Sequence, residues 1–391
     1  MHIAFNAYFW TYHHAGSGQY VRQLVYHLNR YISDLHITLI WPQMAGESLP
    51  TDIPPSVTLH PVPIKPGHLG KVRFEQISFP HACQAIGADL AHVPYWGSPL
   101  RSPIPLVVTV HDIIPLRYPQ YRQKASQRLY TALVTTSARG ADHIITDSFA
   151  SKLEIVDHFQ RTEWDTTAIY LAAGPDYQPA ETSLVDMGVL RKYDLPETYI
   201  LYLGGYNHHK NIVTLLEAYT YVARALGPDY PLILAGKKPD PTNEHFPDYD
   251  AIIKQLNLEK YVRWIGFVDE EDKPILYRNA ETFVFPSEYE GFGLPPLEAL
   301  ACGTPVVATT SSSLPEVIGD AGFTVPPNDE REMAGAIIAT IMDEQLAASL
   351  RQKSQAQAAK FSWQQTAVDT LKVYDLVLNG PQKPPPELQH V

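Results

Sequence analysis

Two glutamates, a glycine-rich loop and a helix start lie within twenty positions of the sequence, at residues 286–305. The mostly apolar residues 281–285 before them have the composition of a strand, and two consecutive prolines suit the first positions of a helix. Free backbone amides at a helix start attract anions. Glu290 lies in the loop, and Glu298, eight residues later, is expected in the first helical turn. The pattern therefore predicts an anion site that two carboxylates flank.

The glycines of this loop would let the backbone approach a ligand closely, because glycine carries no side chain. With the trailing Cys-Gly-Thr-Pro of residues 302–305, the segment resembles the E-x7-E signature of glycosyltransferase family 4, retaining enzymes of the GT-B fold. The resemblance implies that Glu290 contacts hydroxyls of a donor sugar and that Glu298 accepts hydrogen bonds from the nucleotide ribose. It also implies that sugar and phosphate oxygens bind the loop residues Gly291, Phe292, Gly293 and Leu294. The alternative is a solvated loop acid and a separate helix-dipole acid.

A second glycine turn, beginning at Gly204, follows a predicted strand and offers the cation Lys210. A cation there would neutralise a diphosphate leaving group, whose negative charge grows as the glycosyl bond breaks. The family's turn usually ends Arg-Lys and can carry another Arg after its first glycine, whereas this chain has His209 and Gly205. The resemblance assigns all four residues to donor binding and Lys210 to the leaving group. His209 would supply a full positive charge only when it is protonated, and its unperturbed pKa of about 6.5 makes this charge depend on pH. The alternative is that His209 is a neutral residue that makes hydrogen bonds.

His111 follows the buried-strand pattern of residues 107–110, and sites in α/β proteins gather at the exits of parallel strands. With Asp112 it resembles the family's His-Asp pair, which implies that His111 lies near the donor sugar's primary hydroxyl and the reacting centre. The alternative is a structural histidine, and Asp112 is expected in a turn or cap. Gly16 and Gly18 resemble the family's N-terminal glycine loop, near the diphosphate and the acceptor.

The loop after a predicted strand at 262–265 resembles the segment that presents backbone groups to the nucleobase, which assigns Phe267 and Val268 to donor binding.

Asp248 and Asp250 have the Asp-x-Asp form by which other glycosyltransferases hold Mg²⁺ or Mn²⁺. Asp248 follows a proline and precedes an apolar, helix-like stretch, so it is expected to cap a helix. We therefore expect no metal ion and no cofactor, with a nucleotide-diphosphate sugar as the co-substrate.

The composition is that of a globular protein, with 391 residues of which 45% are hydrophobic and 18% are charged. This length suffices for two domains, each with its own core. No apolar run reaches the roughly 20 residues that a transmembrane helix needs, and the N-terminus lacks the basic region of a signal peptide. We therefore expect a cytoplasmic protein. Cys83 and Cys302 lie far apart, so they predict neither a disulfide framework nor a zinc site.

Alternating strand and helix patterns predict an α/β protein, and the resemblance implies GT-B: two doubly wound Rossmann-like domains facing across a cleft. An N-terminal, acceptor-side domain is expected at residues 1–180, completed by a C-terminal crossover helix at about 366–380. A nucleotide-sugar-binding domain is expected at 197–365, after a Pro-rich linker at about 174–197. Residues 381–391 are expected to be disordered. Strands are predicted at 2–9, 37–41, 90–93, 106–110, 143–146, 199–203, 232–235, 262–265, 282–285 and 305–308, a glycine loop at 16–18, and helices at 19–31 and about 121–139.

The net charge of −12 is unevenly distributed, because residues 65–139 carry nine Lys and Arg against three Asp and Glu. This surplus of basic residues favours contact with anionic lipid or an acceptor's phosphate, with a merely solvated surface as the alternative. Peripheral contact with the inner face of a membrane is therefore expected through this region. The acidic total and the lack of a recognised module disfavour nucleic acid as a partner.

Together these patterns predict a retaining glycosyltransferase that moves a hexose from a nucleotide-diphosphate sugar to a hydroxyl of a glycan or lipid-linked acceptor. Residues 111–119 resemble bacterial mannosyltransferases of polysaccharide assembly, which favours mannose, with GDP-mannose as donor. The predicted catalytic residues are His111, Lys210 and Glu290. One alternative is a non-catalytic module that binds sugar nucleotides, which the missing family cations favour. Another is a GT-B epimerase or phosphorylase, which the E-x7-E pattern disfavours.

Overall fold

The computed structural model divides the chain into two compact units. The first unit is Met1–Tyr170 together with the chain from Trp363 onward, and the second is Leu171–Ser362. The tail predicted to be disordered, 381–391, lies outside the described residues. The structure describes residues 1–13, 15–180, 183–240 and 246–380.

Each unit contains one sheet in which all neighbouring strands are parallel. The first sheet has the strand order β3-β2-β1-β4-β5-β6-β7, and the second has the order β10-β9-β8-β11-β12-β13. Most inner strands are apolar and buried along their whole length, as in sheets that helices cover on both faces. The strands are β1 His2–Asn6, β2 His36–Gln43, β3 Thr58–Pro63, β4 Leu90–Val93, β5 Leu106–Thr109, β6 His143–Thr146, β7 Thr166–Ala168, β8 Ile200–Leu203, β9 Leu232–Ala235, β10 Val262–Gly266, β11 Thr282–Phe285, β12 Val306–Thr309 and β13 Gly322–Val325.

The helices present apolar stripes to these sheets, as the periodicity of Val21, Leu24, Val25 and Leu28 predicts for the first of them. The last helix belongs to the first unit, where the Thr366 hydroxyl donates to a backbone carbonyl at 2.7 Å. Among the described residues, none of the helices combines the length and the apolar composition needed to cross a membrane. The helices are α1 Gly16–Tyr31, α2 His68–Arg73, α3 Phe79–Ala85, α4 Ile114–Arg117, α5 Ala125–Arg139, α6 Phe149–Phe159, α7 Leu184–Lys192, α8 Ile212–Leu226, α9 Tyr249–Gln255, α10 Lys273–Arg278, α11 Leu294–Ala301, α12 Leu314–Ile318, α13 Glu330–Met342, α14 Glu344–Ala358 and α15 Trp363–Asn379.

Ten strands were predicted and all ten are present among the described residues, four with the predicted ends and six with shifted ends, but three strands were missed. Strand β3 contains Pro61 and Pro63, which a sheet tolerates because β3 lies at its edge. Strand β7 has three residues, and β13 begins with a glycine, so neither has a strong strand pattern. The prediction of a strand reaching residue 9 is wrong, because β1 ends at Asn6.

Two segments predicted as irregular are helical. The glycines at 16–18 form the first turn of α1, which begins at Gly16 rather than at Gln19. The predicted linker at 174–197 contains α7, and the Asp186 carboxylate on this helix accepts two hydrogen bonds from Arg278 at 2.6 and 2.7 Å. A buried ion pair therefore attaches this segment to the second unit. The Pro-rich composition of the segment did not predict this tertiary contact.

Candidate active site

The turn after β8 and the loop after β11 adjoin each other, because β8 and β11 are neighbours where the strand order of the second sheet reverses. Ligands of open α/β sheets bind at such points, outside the carboxyl ends of the strands. The carbonyl of His209 joins the two segments, since it accepts hydrogen bonds from the Glu288 amide at 2.8 Å and the Ser287 hydroxyl at 3.0 Å. The residues of these two segments that are predicted to bind the donor sugar nucleotide therefore lie close together.

Lys210 and Glu290 form an ion pair at this position. The ammonium of Lys210 donates to Oε1 of Glu290 at 2.6 Å, and it lies 5.0 Å from the ring centroid of Phe285. The Glu290 backbone is fixed as well, because its amide donates to the Ser312 hydroxyl oxygen at 3.0 Å and its carbonyl accepts a hydrogen bond from the same hydroxyl. An ammonium has three donor hydrogens. Lys210 can therefore bond Glu290 and phosphate oxygens at the same time.

His209, which precedes this lysine, is buried and neutral. Burial first, and then the nearby charge of Lys210, lower the pKa of His209 to about 4, against a smaller opposing effect of Glu290. At neutral pH the imidazole therefore carries no proton charge. The family's second cation has no charged counterpart here, so Lys210 is the cation of the turn.

The two glycines of the turn after β8 lie close to neighbouring atoms of the protein. The Gly204 amide donates to the Ala235 carbonyl at 3.1 Å, and a Cβ at this position would lie 3.0 Å from the Tyr202 hydroxyl. The same hydroxyl donates to the carbonyl of Gly205. A Cβ at Gly205 would lie 3.3 Å from the side-chain oxygen of Asn207. Side chains at either position would crowd the turn that carries Lys210.

The loop after β11 ends in a helix start suited to an anion. Gly293 caps α11 at φ 117°, a left-handed conformation that glycine adopts readily, and a Cβ there would lie 3.0 Å from Leu314. The Ser313 hydroxyl donates to the Phe292 carbonyl at 2.5 Å, which fixes the loop. The first turn of α11 starts at Leu294, with two prolines next, as predicted. The two prolines carry no N–H, and the Leu297 amide donates to the Gly293 carbonyl at 3.1 Å, so the amides that this helix start offers to a phosphate are those of Gly293 and Leu294.

Glu298 lies deeper than predicted. It is the fifth residue of α11 and so falls in the second turn, which makes the first-turn prediction wrong. Its carboxylate accepts a hydrogen bond from the Tyr277 hydroxyl at 3.0 Å. Burial raises the pKa of Glu298 to about 7, although the charge of Lys273 and the tyrosine hydrogen bond oppose the shift. Glu298 is therefore a buried carboxyl that titrates near neutral pH rather than a solvated helix-dipole acid.

The segment assigned to the nucleobase follows β10. Gly266 ends this strand at φ 75°, and its carbonyl accepts a hydrogen bond from the Gly236 amide at 2.7 Å. The next residue, Phe267, is half exposed, whereas Val268 is buried. An exposed aromatic ring beside a glycine fits the face of a base, and this role stays a prediction.

The Asp-x-Asp pair is engaged in other contacts. Asp248 caps α9 by accepting the Ala251 amide at 3.1 Å, which confirms the predicted cap. Asp250 pairs with Lys238 at 2.6 Å. Within the described ranges, no group of three or more His, Cys, Asp or Glu side chains could hold a metal ion.

His111 in the first unit pairs with a residue that the sequence did not suggest, Asp147. The register of β5 and β6 aligns Thr109 with Ile145, so the residues two positions further on leave the sheet side by side. Nδ1 of His111 lies 2.7 Å from Oδ2 of Asp147, and Nε2 lies 3.3 Å from the Pro94 carbonyl oxygen. Both partners are acceptors. Burial opposes the charged ring, but Asp147 outweighs it and the pKa of His111 is raised.

Asp147→Asn is expected to lower the pKa of His111 below its ordinary value of about 6.5, because burial, the largest effect, would then face only the smaller opposing effects of Asp112 and the Pro94 carbonyl. Titration of the imidazole signals by NMR measures this shift, with Asp112→Asn as the control for the carboxylate that has the smaller effect. The pair stabilises the folded state fully below pH ~6.5 and loses this contribution as the pH rises through the raised pKa. The variant should therefore lose more stability at pH ~6 than at pH ~9. An unchanged His111 titration would contradict this assignment.

The two N-terminal glycines differ in how the structure explains them. A Cβ at Gly18 would lie 2.1 Å from the Tyr12 carbonyl oxygen and 2.8 Å from that of Phe9, so packing alone requires glycine there. A Cβ at Gly16 would meet no atom within 4 Å. Ligand binding by these two residues stays a prediction.

Comparison with known proteins decides the family. The family model "Glycosyltransferase Family 4" matches residues 14–173, and "Glycosyl transferases group 1" matches residues 191–357. The chain is also 36% identical over 272 residues to O-antigen chain mannosyltransferase B from Escherichia coli, covering 69% of this chain and 70% of that protein. The chain belongs to glycosyltransferase family 4. It is therefore an enzyme that transfers glycosyl groups.

Solved structures agree with the fold of this glycosyltransferase. Sucrose-phosphate synthase from Thermosynechococcus elongatus superposes with a TM-score of 0.76 at 22% identity, over 97% of this chain and 100% of that chain. HepE of Anabaena, solved with UDP and glucose, gives a TM-score of 0.72 at 20% identity, over 95% of this chain and 99% of that chain. At such identities the likeness concerns the fold alone, and the predicted GT-B fold is confirmed.

The second unit of the glycosyltransferase brings together several predicted residues, whereas His111, Gly16 and Gly18 belong to the first unit. Sequence reasoning missed three supporting residues: Asp147, Ser313 and Tyr277. Asp147 directly follows β6, which was a usable signal because polar residues at strand exits mark α/β sites. The run of serines after β12 was a weaker sequence signal for Ser313, and no sequence signal pointed to Tyr277.

Proposed function

We propose that this enzyme transfers mannose from GDP-mannose, with retention of anomeric configuration, to a hydroxyl of a glycan or lipid-linked acceptor. The observation that carries the choice of mannose is the 36% identity to a bacterial O-antigen mannosyltransferase over 70% of that protein. The ion pair of Lys210 with Glu290 supports the chemistry, since it sets a cation and a carboxylate at the switch point of the second sheet.

In this proposal each residue has one task. Lys210 stabilises the departing diphosphate, together with the backbone amides of Gly293 and Leu294 at the start of α11. Glu290 orients the donor sugar by accepting its hydroxyl hydrogens, and Glu298 accepts hydrogen bonds from the ribose. His111 binds near the primary hydroxyl of the sugar. No residue in these roles is a general base facing the acceptor, so the departing phosphate oxygen takes the acceptor's proton and the reaction retains configuration.

The proposal is tested with four donors, GDP-mannose, UDP-glucose, UDP-GlcNAc and dTDP-rhamnose, in thermal-shift and nucleotide-release assays. We expect GDP-mannose to raise the melting temperature most, because a ligand of the folded state stabilises it. Proton NMR of the product should show an α-glycoside from the α-linked donor. A β-glycoside, or a glycosyl adduct at Glu290 in a mass spectrum, would contradict the retaining mechanism.

The same assay tests metal independence. Activity is expected to survive EDTA, because Lys210 and helix amides replace the charge of a metal ion. Loss of activity with rescue by Mn²⁺ would instead implicate Asp248 and Asp250.

The alternative of a non-catalytic module that binds sugar nucleotides is not supported, because the chain belongs to a family of glycosyltransferases. One observation had favoured it. His209 is neutral and Gly205 has no side chain, so the leaving group would face fewer cations than the family usually provides. Release of GDP from GDP-mannose is therefore expected in the presence of mannose-containing acceptors, and binding without release would contradict the proposed donor or acceptor.

Peripheral binding to the inner face of a membrane is proposed for the basic region 65–139. This region exposes Leu69 and Leu129, at 85% and 72%, beside its cations. We expect co-sedimentation with phosphatidylglycerol vesicles that weakens with salt, because each Lys or Arg near an anionic surface contributes roughly 1 kcal/mol. Arg128→Glu should reduce this binding, whereas the exposed Arg224→Glu of the second unit should not. Equal recovery with phosphatidylcholine vesicles would favour an acceptor that is not lipid-linked.

A further inference from the structure

A cavity of about 160 Å³ lies at the carboxyl ends of β1, β2 and β3 in the first unit. Its wall includes Tyr8 and Tyr12 after β1, Trp41 in the last part of β2, and Lys65 after β3. Loops at this end of a parallel sheet are where α/β proteins bind ligands. None of the residues assigned above to the donor lines this cavity.

The size and chemistry of the cavity limit what it can bind. Pockets for drug-sized ligands begin at about 300 Å³, so this cavity is too small for a nucleotide or a lipid chain and suits one small ring. Its wall combines aromatic rings with the ammonium of Lys65 and the carboxylate of Glu47. Aromatic faces pack against the C–H faces of a sugar ring, and the charged groups bond its hydroxyls.

We propose that this cavity binds one neutral hexose unit of the acceptor glycan. The proposal rests on the glycosyl transfer proposed above, and it adds the class of acceptor and the residues that hold it. In this arrangement the half-exposed ring of Tyr12 contacts a face of the sugar, while Lys65 and Glu47 bond its hydroxyls.

The aromatic wall is held rigid by a buried ion pair. The rings of Tyr8 and Tyr12 are stacked at 6.3 Å with an interplanar angle of 15°. The Lys71 ammonium lies 5.2 Å from the Tyr8 ring and 3.3 Å from the carboxylate of the fully buried Glu75. Glu75 belongs to a π-helical turn, Phe74–Ser78, and such turns are frequent at functional sites. A rigid wall favours binding because less side-chain freedom is lost when the ligand arrives.

Trp41 adds a second observation. It is buried, and its indole nitrogen has no hydrogen-bond partner in the part of the chain that the structure describes. A buried donor without an acceptor is costly, so its presence beside a cavity needs an explanation. A sugar hydroxyl is an acceptor of suitable size to offset this cost.

Binding of methyl α-mannopyranoside to the full chain tests the proposal, with saturation-transfer NMR as the readout. We expect saturation transfer with the wild type, and at least a tenfold weaker affinity for Tyr12→Ala, which loses the exposed ring face. Tyr12→Phe should bind within about twofold of the wild type, because it keeps the ring. Trp164→Ala removes an 89% exposed aromatic residue of the same unit that does not line the cavity, and it should bind like the wild type.

Lys65→Ala provides a second variant that acts on the hydroxyl contacts and leaves the aromatic wall intact. Wild-type affinity in both Tyr12→Ala and Lys65→Ala would overturn the proposal, as would a wild type that does not bind the mannoside. GDP release from GDP-mannose is measured in parallel. If the wild type releases GDP and both variants bind the mannoside as the wild type does, the cavity assignment alone is overturned. If both variants lose mannoside binding but the wild type releases no GDP, the cavity assignment is supported and the proposed transfer is contradicted.

Discussion

Lys210→Ala is expected to lower kcat about 100- to 1000-fold with a much smaller effect on donor affinity. The ammonium would face a diphosphate whose charge grows toward the transition state, so its contribution is larger there than in the ground state. Removal of one oxyanion-hole donor in other enzymes costs about 2.7–4 kcal/mol, which gives the scale. Steady-state kinetics with GDP-mannose separate kcat from KM. A wild-type kcat in the variant would contradict the role of Lys210.

The ion pair complicates this variant, because Lys210→Ala also leaves the Glu290 carboxylate without its 2.6 Å partner. Removal of one partner from a partly buried pair is costly in itself. Lys210→Arg keeps a cation beside Glu290, and the double variant Lys210→Ala/Glu290→Gln removes both charges. Because Glu290 itself orients the donor sugar, the double variant is compared with Glu290→Gln alone. If diphosphate stabilisation is the cause, the double variant should be slower than Glu290→Gln, and Lys210→Arg should recover part of the rate. Lys353→Ala removes an exposed lysine that pairs with Asp320 at 3.4 Å, and it should leave kcat unchanged.

Local patterns predicted the two sheets well, because the inner strands are short apolar runs between polar loops. Strands such as Leu90–Val93 and Thr282–Phe285 have the predicted ends. The failures share a physical reason, which is that tertiary contacts overrode local composition. Strand β3 includes two prolines at a sheet edge, and the predicted linker forms α7 through the pair of Asp186 with Arg278.

Within the candidate site, the sequence predicted the positions of Glu290 and Lys210 after their strands better than it predicted the electrostatic state of the site. The spacing placed Glu290 and Lys210 in loops after two different strands, and the strand order makes these loops neighbours. Burial is a property of the whole fold, so the neutral His209 and the buried Glu298 could not be predicted from spacing. Asp147 was missed because its contact with His111 depends on the register of β5 and β6.

Glu298→Gln is expected to stabilise the folded chain at alkaline pH. The pKa of Glu298 rises from its ordinary 4.5 to about 7 on folding, because burial disfavours the charged form. A raised pKa contributes stability that is fully present below the unfolded value and is lost as the pH rises through the folded value. Glutamine carries no charge at any of these pH values, so the variant avoids this loss.

Urea unfolding at two pH values measures this effect. Between pH ~5.5 and pH ~8.5 the variant should gain about 2 kcal/mol relative to the wild type, from 1.36 kcal/mol per pKa unit. Glu217→Gln, which removes an exposed carboxylate from α8, should show no such gain. A pH-independent difference between wild type and Glu298→Gln would mean that Glu298 does not titrate in this range.

The same substitution should weaken donor binding, in opposition to its effect on stability. If the carboxylate accepts ribose hydroxyls, loss of these charge-assisted hydrogen bonds costs about 1.5–3 kcal/mol. Wild-type affinity for GDP-mannose should therefore rise with pH through about 7, as Glu298 loses its proton, whereas the variant should bind weakly at every pH. Calorimetry should use GDP-mannose rather than GDP, because a terminal phosphate titrates near pH ~6 and would add its own dependence. If the affinity of the wild type and of the variant rises equally with pH, another group titrates in this range and Glu298 does not bind the ribose.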